Sequence, residues 1–480
     1  MKLGQTSLVY YGTTVVATVI GFLSTVYFAR VLGAERYGIY TLAIAVVLWL
    51  KIGGQFGITT AVTKRLSEGD DRGAFVVAGA VMLAIPIAAL SAAIFLFREH
   101  LNAYVGVQAA SLIALLFFAS LFFEYAIAVL NGYRLVHVSG FVSLGRKLGQ
   151  ALLQIGLVAV GYGLAGMFVG YAVAGLCAGA ITFVLFSVNY GVPRRRHFAS
   201  VFDFAKFSWF GSLRARSFSN ADILVLGAFV PSGLVGIYSV AWSIAKLLDI
   251  FGSSIRATLF PEMSKLSAEG ETGAITDLVN VSIAYTGLFL IPGLCGSVLL
   301  GDRILRIYGE EFAAGATVMW ILVAAVLVYS YQRQLVNALN AIDRPDLSFR
   351  TNIVFVASNI VLNVVLISLY GWIGAAVATA LSAAIGFALA AHYLNAELPL
   401  TIPGREIAYQ WLSAGVMSAV VYAGLRLETS RGPLLNEYVS LAVLVAVGAG
   451  VYFLCLFVQS SRFRSTVRRN VPLDASGIPL

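Results

Sequence analysis

Apolar residues in this chain come in blocks long enough to cross a lipid bilayer, and most of the charges fall between the blocks. Leu8–Arg30 is one such block. Ala74–Phe97, Ser111–Leu130, Leu164–Tyr190, Thr276–Leu300 and Leu441–Val458 are others. A helix needs roughly 20 mostly apolar residues to cross about 30 Å of hydrocarbon. The pattern predicts about 14 transmembrane helices, at 8–30, 38–62, 74–97, 108–130, 138–161, 164–189, 206–229, 233–255, 276–300, 312–335, 350–370, 372–394, 407–426 and 437–459. The first block is too long for a signal peptide and lacks a small-residue cleavage site, so it reads as the first span.

The positions of the cations give an orientation. With the N-terminus cytoplasmic, 19 Lys and Arg residues fall in inside loops and tails and seven in outside loops. That asymmetry predicts cytoplasmic termini and an even number of spans. The plasma membrane is the expected location.

The pattern also repeats. Val31-Leu32-Gly33-Ala34 leads to Gly38-Ile39-Tyr40, and Val225-Leu226-Gly227-Ala228 leads to Gly236-Ile237-Tyr238. Arg65-Leu66-Ser67 answers Lys265-Leu266-Ser267. Pro86 answers Pro292, Leu130-Asn131-Gly132 answers Leu339-Asn340-Ala341, and Tyr162-Gly163 answers Tyr370-Gly371. The second copy has a slightly longer loop after its Val-Leu-Gly-Ala run, and from Gly38/Gly236 onward the offset drifts only from 198 to 209 residues. Spans 1–6 therefore match spans 7–12. Six is even, so the copies share one orientation, as parallel repeats related by an axis along the membrane normal. The expected fold class is an all-α polytopic membrane protein with two six-helix lobes. The expected division is an N-lobe at 1–195 (spans 1–6), a C-lobe at 196–400 (spans 7–12), and 401–480 carrying spans 13–14 and a basic cytoplasmic tail. Proline breaks at matching places, Pro86 and Pro292, are a mark of transporters and are candidate gating positions.

Composition supports the membrane reading and closes other routes. Of the residues, 59% are hydrophobic and 11% charged, against about 25% charged in a soluble domain. The net charge of +9 lies mostly between apolar blocks, which argues against nucleic acid as a partner. Cys177, Cys295 and Cys455 sit far apart inside apolar blocks, so no disulfide framework or zinc site is expected. The four histidines form no ligand pair. Neither a metal nor a cofactor is expected.

The charges within the spans carry the chemistry. An ionisable residue at membrane depth marks a pathway or a partnered site. In span 7, Ser208, Ser212, Arg216, Ser219 and Asp222 step by three or four residues, forming one polar stripe suited to a water-filled cavity. Arg214 projects to another side of that helix. Span 8 carries Lys246 and Asp249, and span 2 carries Lys51 with Gln55 one turn on. Lys51 and Asp249 are repeat equivalents of opposite charge, which suggests an ion pair between the lobes that makes and breaks. The competing reading is that each charge pairs within its own bundle. Glu124 is expected to find a local partner, and Arg146 and Lys147 to reach the cytoplasmic interface. Lys51, Arg214, Arg216 and Lys246 form a cationic set suited to a phosphate or pyrophosphate. Asp222, Asp249 and Gln55 are candidates for gating or coupling. Tyr10, Tyr11, Tyr27 and Tyr40 offer faces for sugar stacking or serve as interfacial anchors.

The run Phe28-Ala29-Arg30-Val31-Leu32-Gly33-Ala34-Glu35-Arg36-Tyr37-Gly38-Ile39-Tyr40 resembles the opening motif of the polysaccharide-transport proteins. These are the Wzx-like O-antigen and oligosaccharide flippases of the multidrug/oligosaccharidyl-lipid/polysaccharide exporter superfamily. Gly236-Ile237-Tyr238-Ser239 resembles the motif that opens their second lobe. The resemblance implies alternating access. It also implies a cargo of polyprenyl- or dolichyl-phosphate-linked oligosaccharide, with membrane lipids and glycosyltransferases or a polymerase of the same pathway as partners. Drug-extruding relatives usually carry a cation-coupling acid in their first span, and this chain has none between Leu8 and Phe28.

Two other classes compete. A multidrug or small-solute exporter of the same superfamily needs an acidic, aromatic cavity, whereas the central charges here are basic. A membrane glycosyltransferase needs acidic catalytic residues on sizeable loops, and no such cluster appears. The sequence contains no Gly-x-x-x-x-Gly-Lys-[Ser/Thr] phosphate loop, so an ion gradient, the membrane potential or removal of product must drive transport.

Overall fold

The computed structural model describes residues 3–186, 190–217, 221–399, 403–431 and 436–470; the side chains of 3–15, 17, 207, 209–217, 431, 469 and 470 lie outside that description. The described residues are helical almost throughout and contain no strand. The helices pack as two units, Met1–Ser239 and Val240–Leu480.

The first unit opens with α1 (Leu3–Gln55), followed by α2 (Ile58–Glu68), α3 (Arg72–Leu96), the short α4 (Arg98–Val105) and α5 (Ala110–Gly132). Next come α6 (Val136–Leu157), a π turn (Val158–Tyr162) and α7 (Gly163–Leu185). Then α8 (Arg195–Ser217), α9 (Ala221–Phe229) and the start of α10 (Ser232–Leu247) complete it. The 53 residues of α1 would extend about 80 Å at 1.5 Å per residue, far beyond one bilayer. Gly33, at φ 77° and ψ 171°, breaks it into two legs.

The second unit holds the rest of α10, then α11 (Ile250–Ala268), α12 (Thr272–Arg306), a 3-10 turn (Glu310–Gly315) and α13 (Ala316–Ala341). It ends with α14 (Pro345–Glu397), α15 (Gly404–Arg431), α16 (Glu437–Gln459) and α17 (Ser461–Asn470). Like α1, α14 is 53 residues long and broken, here at Gly371.

Backbone geometry repeats where the sequence does. The tight turn between α6 and α7 puts Gly163 at φ 51°, ψ −127°, and Gly371 repeats it at φ 59°, ψ −142°. Only glycine occupies that region without strain. Both turns fold the chain back on itself. Gln154 Nε2 donates to Met167 O at 2.7 Å in the first copy, and Asn359 Nδ2 to Ser382 Oγ at 3.1 Å in the second. The caps of α5 and α13 also match. Arg134 (φ 64°) and Asp343 (φ 58°) are left-handed, and Leu135 N bonds Leu130 O as Arg344 N bonds Leu339 O, both at 2.9 Å. This is the six-to-one bond of a Schellman cap.

Two expected spans are shorter than the hydrophobic pattern suggested. Span 2 stops at Gln55, because Phe56 (φ 42°) and Gly57 (φ 73°) turn the chain into α2. Span 8 breaks at Leu248–Asp249, with a 45° bend between α10 and α11. Among the described residues, eight helices are long and apolar enough to cross a membrane, nine with the bent α10–α11 pair. Fourteen crossings follow only if both legs of α1, of α6–α7 and of α14 are counted, together with α8 and α15. The chain is thus a polytopic, multi-pass membrane protein built on a repeat.

The two copies of the Gly-Ile-Tyr motif meet inside the first unit. A Cβ on Gly38 would overlap the Ser232 carbonyl oxygen, and a Cβ on Gly236 would overlap that of Ala34. Ala34 and Ser232 are themselves equivalents at the same 198-residue offset, as are Thr41 and Ser239, whose hydroxyls lie 3.3 Å apart. Residue i meets j' while j meets i', the reciprocity that a two-fold axis produces.

Candidate functional site

Within the first unit, α1, α6 and α7 enclose a polar cavity of about 300 Å³. The first leg of α1 contributes Ile20, Gly21, Ser24, Thr25 and Phe28, and its second leg Tyr37 and Tyr40. From α6 come Arg146, Lys147, Gln150 and Gln154, and from α7 Tyr171. The α6 residues share one face by their spacing of three and four. They also form a hydrogen-bonded line. Arg146 Nη1 donates to Gln150 Oε1 at 3.4 Å, Gln150 Nε2 to Gln154 Oε1 at 3.3 Å, and Gln154 Nε2 to the Tyr40 hydroxyl at 3.0 Å. Tyr40 accepts in this line, so its own proton is free to donate into the cavity.

Arg146 is half-buried in the first unit. It lies about 15 Å along α6, with its guanidinium over Phe123 at 4.7 Å and Tyr171 at 5.4 Å. Two aromatic faces and an amide oxygen hold the cation against the bundle. The sequence carried the signal: Ser139, Ser143, Arg146, Gln150 and Gln154 form a stripe of the same kind as the one read in span 7.

Lys51 is 6% exposed and pairs with Glu124 across from α5, which supplies the local partner expected for that carboxylate. Gln55 is buried at the end of α1. Asp222, on α9, is buried and accepts from the Tyr238 hydroxyl at 3.1 Å. Ser208 donates to Gly57 O at 3.2 Å, tying α8 to the turn after α1. The side chains of Arg214, Arg216, Ser212 and Ser219, and those of Tyr10 and Tyr11, lie outside the described residues. Pro86 sits inside α3.

In the second unit, Asp249 precedes α11 and is held by three groups. Arg256 Nη2 donates to it at 3.2 Å, Arg333 Nη1 lies at 3.5 Å, and Ser330 also donates. Gln334 bridges Gly252 O and the Thr286 hydroxyl beside them. Lys246 stands over the Trp242 ring at 4.9 Å. Pro292, inside α12, lines a second cavity of about 300 Å³ that is almost wholly apolar. Ile244, Phe289, Val421, Leu444 and Phe453 line it too, so α10, α12, α15 and α16 all contribute. α15 and α16 are fastened there by Arg303–Glu428 at 2.6 Å and Arg306–Glu437 at 3.3 Å. Among the described residues, no group of three or more His, Cys, Asp or Glu is placed to hold a metal ion.

On the loop side of the first unit, Asp71 accepts from Arg196 and His197 and anchors the start of α8. His197 Nδ1 accepts from Arg194 N, so the proton on Nε2 faces Asp71. The His197 hydrogen bond and the Arg196 charge hold the Asp71 carboxyl below its ordinary pKa of 3.8.

Repeated helical bundles with charged, hydrogen-bonding groups enclosed at membrane depth define a membrane transporter. The family model for polysaccharide biosynthesis proteins matches residues 3–267, and that for the lipid II flippase MurJ matches residues 194–443. The chain belongs to the polysaccharide biosynthesis protein family. It is 31% identical over 478 residues to the "Probable flippase AglR" of Haloferax volcanii, covering 98% of both chains. It is 27% identical over 474 residues to that organism's "Probable low-salt glycan biosynthesis flippase Agl15", covering 98% of this chain and 99% of that one. Among solved structures, the lipid II flippase MurJ in an inward closed conformation aligns over 96% of this chain and 100% of that one, with a TM-score of 0.80 at 17% identity. An inward-facing multidrug MATE transporter aligns over 79% and 95%, with a TM-score of 0.61 at 14% identity. Identities this low speak to fold alone.

Proposed function

We propose that this protein is a flippase that carries a lipid-linked oligosaccharide from the cytoplasmic to the outer leaflet by alternating access, for surface polysaccharide or glycoprotein synthesis. The observation that carries the proposal is the polar cavity of the first unit: Arg146 and Lys147 sit among hydroxyls, amides and tyrosine faces within a bundle whose outside is apolar. Such groups suit a polar, anionic head and are costly in lipid without one. The apolar cavity beside α15 and α16 suits the acyl or polyprenyl tail of the same molecule. Family membership and the flippase names of the full-length relatives support the reading.

Lys51, Arg214, Arg216 and Lys246 are the groups proposed to meet the headgroup phosphate. Asp222, Asp249, Gln55, Pro86 and Pro292 are proposed to act in gating or coupling, with the lobes at 1–195 and 196–400 as the moving parts. The plasma membrane, cytoplasmic termini and partnership with glycosyltransferases or a polymerase of the pathway belong to the same proposal. The membrane potential is a sufficient drive, since moving one negative charge out of a negative interior gains about 2.3 kcal/mol per 100 mV.

Purified protein in liposomes, loaded with a fluorescent polyprenyl-phosphate oligosaccharide, tests this. Wild type should bring the probe to the outer leaflet at a rate that rises with an imposed potential, and Arg216→Ala should slow it at least tenfold while Arg216→Lys retains most of the rate. Transport of a cationic drug with no movement of the glycan probe would replace this reading by the multidrug exporter.

A further inference from the structure

The cavity of the first unit asks for more than a phosphate. Arg146 and Lys147 are neighbours in sequence, and among the described residues neither has a carboxylate within ion-pair distance. Arg146 Nε is buried with no hydrogen-bond partner. Its guanidinium is steered instead by Gln150 and by two aromatic rings. Arg146 is half-buried and Lys147 exposed at the cavity; a partly buried cation without a countercharge is expensive, and an anion arriving from outside the fold removes that cost.

The rest of the lining says what else the anion carries. Ser24, Thr25, Tyr37, Tyr40 and Gln150 surround the two cations with neutral hydrogen-bonding groups. The Tyr40 hydroxyl accepts from Gln154 and so turns its proton toward an acceptor in the cavity. About 300 Å³ is at the small end for ligand pockets, which run from ~300 to ~1,000 Å³. That space admits one pyranose ring, and a bare phosphate would leave most of it to water. Tyrosine faces receive the C–H faces of a sugar, hydroxyls and amides receive its hydroxyl groups, and the Arg–Lys pair receives an oxyanion.

The second copy of the repeat sharpens the point. At the local offset of 208 residues, Arg146, Lys147 and Gln154 correspond to Val354, Phe355 and Leu362. The same helix position is built without a cation there, so the fold does not need these charges.

We propose that this cavity is a subsite for one acidic sugar residue of the cargo, a pyranose ring bearing a carboxylate or other oxyanion, separate from the site for the lipid phosphate. The subsite deepens the flippase reading and rests on it for the source of the sugar.

The test uses the purified, full-length protein and saturation-transfer NMR with three probes: methyl glucuronide, methyl glucoside and inorganic phosphate. The glucuronide should bind at least tenfold more tightly than either the uncharged sugar or phosphate. The double variant Arg146→Gln/Lys147→Gln should lose that preference while its thermal melt shows a folded protein. The exchange Arg146→Lys/Lys147→Arg should keep it. Glucuronide binding no tighter than glucoside, phosphate binding as tight as glucuronide, or a folded double variant with unchanged glucuronide preference would each overturn the subsite. A liposome assay with the lipid-linked probe separates the two proposals. A protein that selects glucuronide but moves no lipid-linked glycan keeps the subsite and loses the flippase reading. One that moves the glycan without selecting glucuronide does the reverse.

Discussion

The two copies of the repeat hold an ion pair in the same place with its signs exchanged. Lys51 on α1 meets Glu124 on α5 in the first copy. At the local offsets of 198 and 209 residues these positions are Asp249 and Arg333, and they too meet, at 3.5 Å. What the duplication kept is a bond between two helices. What it left free is which helix carries the cation. The second copy then adds Arg256 to the same carboxylate, so two arginines hold it.

The largest effect expected from this comparison is on the more buried pair. Lys51→Ala removes a buried cation from its pair with Glu124 and should cost about 3 kcal/mol, read as a lower melting temperature together with loss of flipping. Arg333→Ala leaves Asp249 with Arg256 and Ser330, and Arg333 is 43% exposed, so screening reduces its loss to about 1 kcal/mol. Equal losses would break the comparison. Writing the second copy's polarity into the first, as Lys51→Asp with Glu124→Arg, should recover about 2 kcal/mol of the loss. If transport stays low while the melt recovers, the sign at Lys51 serves the cargo, and the bond serves the fold.

The reciprocal glycines come next. Gly38→Ala and Gly236→Ala each drive a methyl group into a carbonyl of the other copy and should each cost about 2 kcal/mol by overpacking. Because the contacts mirror each other, the two melts should agree; a large difference would deny the symmetry. A smaller change is expected from Gln154→Leu, which installs the second copy's residue. It removes the side-chain donor to Met167 O and to the Tyr40 hydroxyl at about 1 kcal/mol, and glucuronide binding should weaken with it.

The smallest effect is a pH dependence at Asp71. Its folded pKa is lowered, so its bonds to His197 and Arg196 contribute fully above the ordinary value of 3.8 and fade as the pH falls through the lowered value. An Asp71→Asn protein should therefore melt slightly earlier than wild type at neutral pH, with the gap closing only in strong acid.

Much of this was legible in the chain. Long apolar blocks fix helices because only closed backbone hydrogen bonding survives in lipid. The repeat was readable at Gly163/Gly371 and Asn131/Asn340 because the turns there demand particular residues. The span ends at Phe56–Gly57 and Leu248–Asp249 were missed because hydropathy runs straight through them. The ring contacts of Arg146 were not legible, because hydropathy takes no account of Phe123 and Tyr171 on the helices that face it. The partners of Lys51 and Asp249 were beyond reach for the same reason, since Lys51 and Glu124 stand 73 residues apart. The phosphate role given to Arg214 and Arg216 rests on sequence alone.

The contact between Gly38 and Gly236 also sets a schedule. Nearly 200 residues separate them, and ribosomes add about 5–20 residues per second. The bare backbone of Gly38 therefore enters the membrane roughly 10–40 s before the stretch that covers it has been made. For that interval the first copy must hold itself together through its own helices, and the clasp between the copies closes as a late step of assembly.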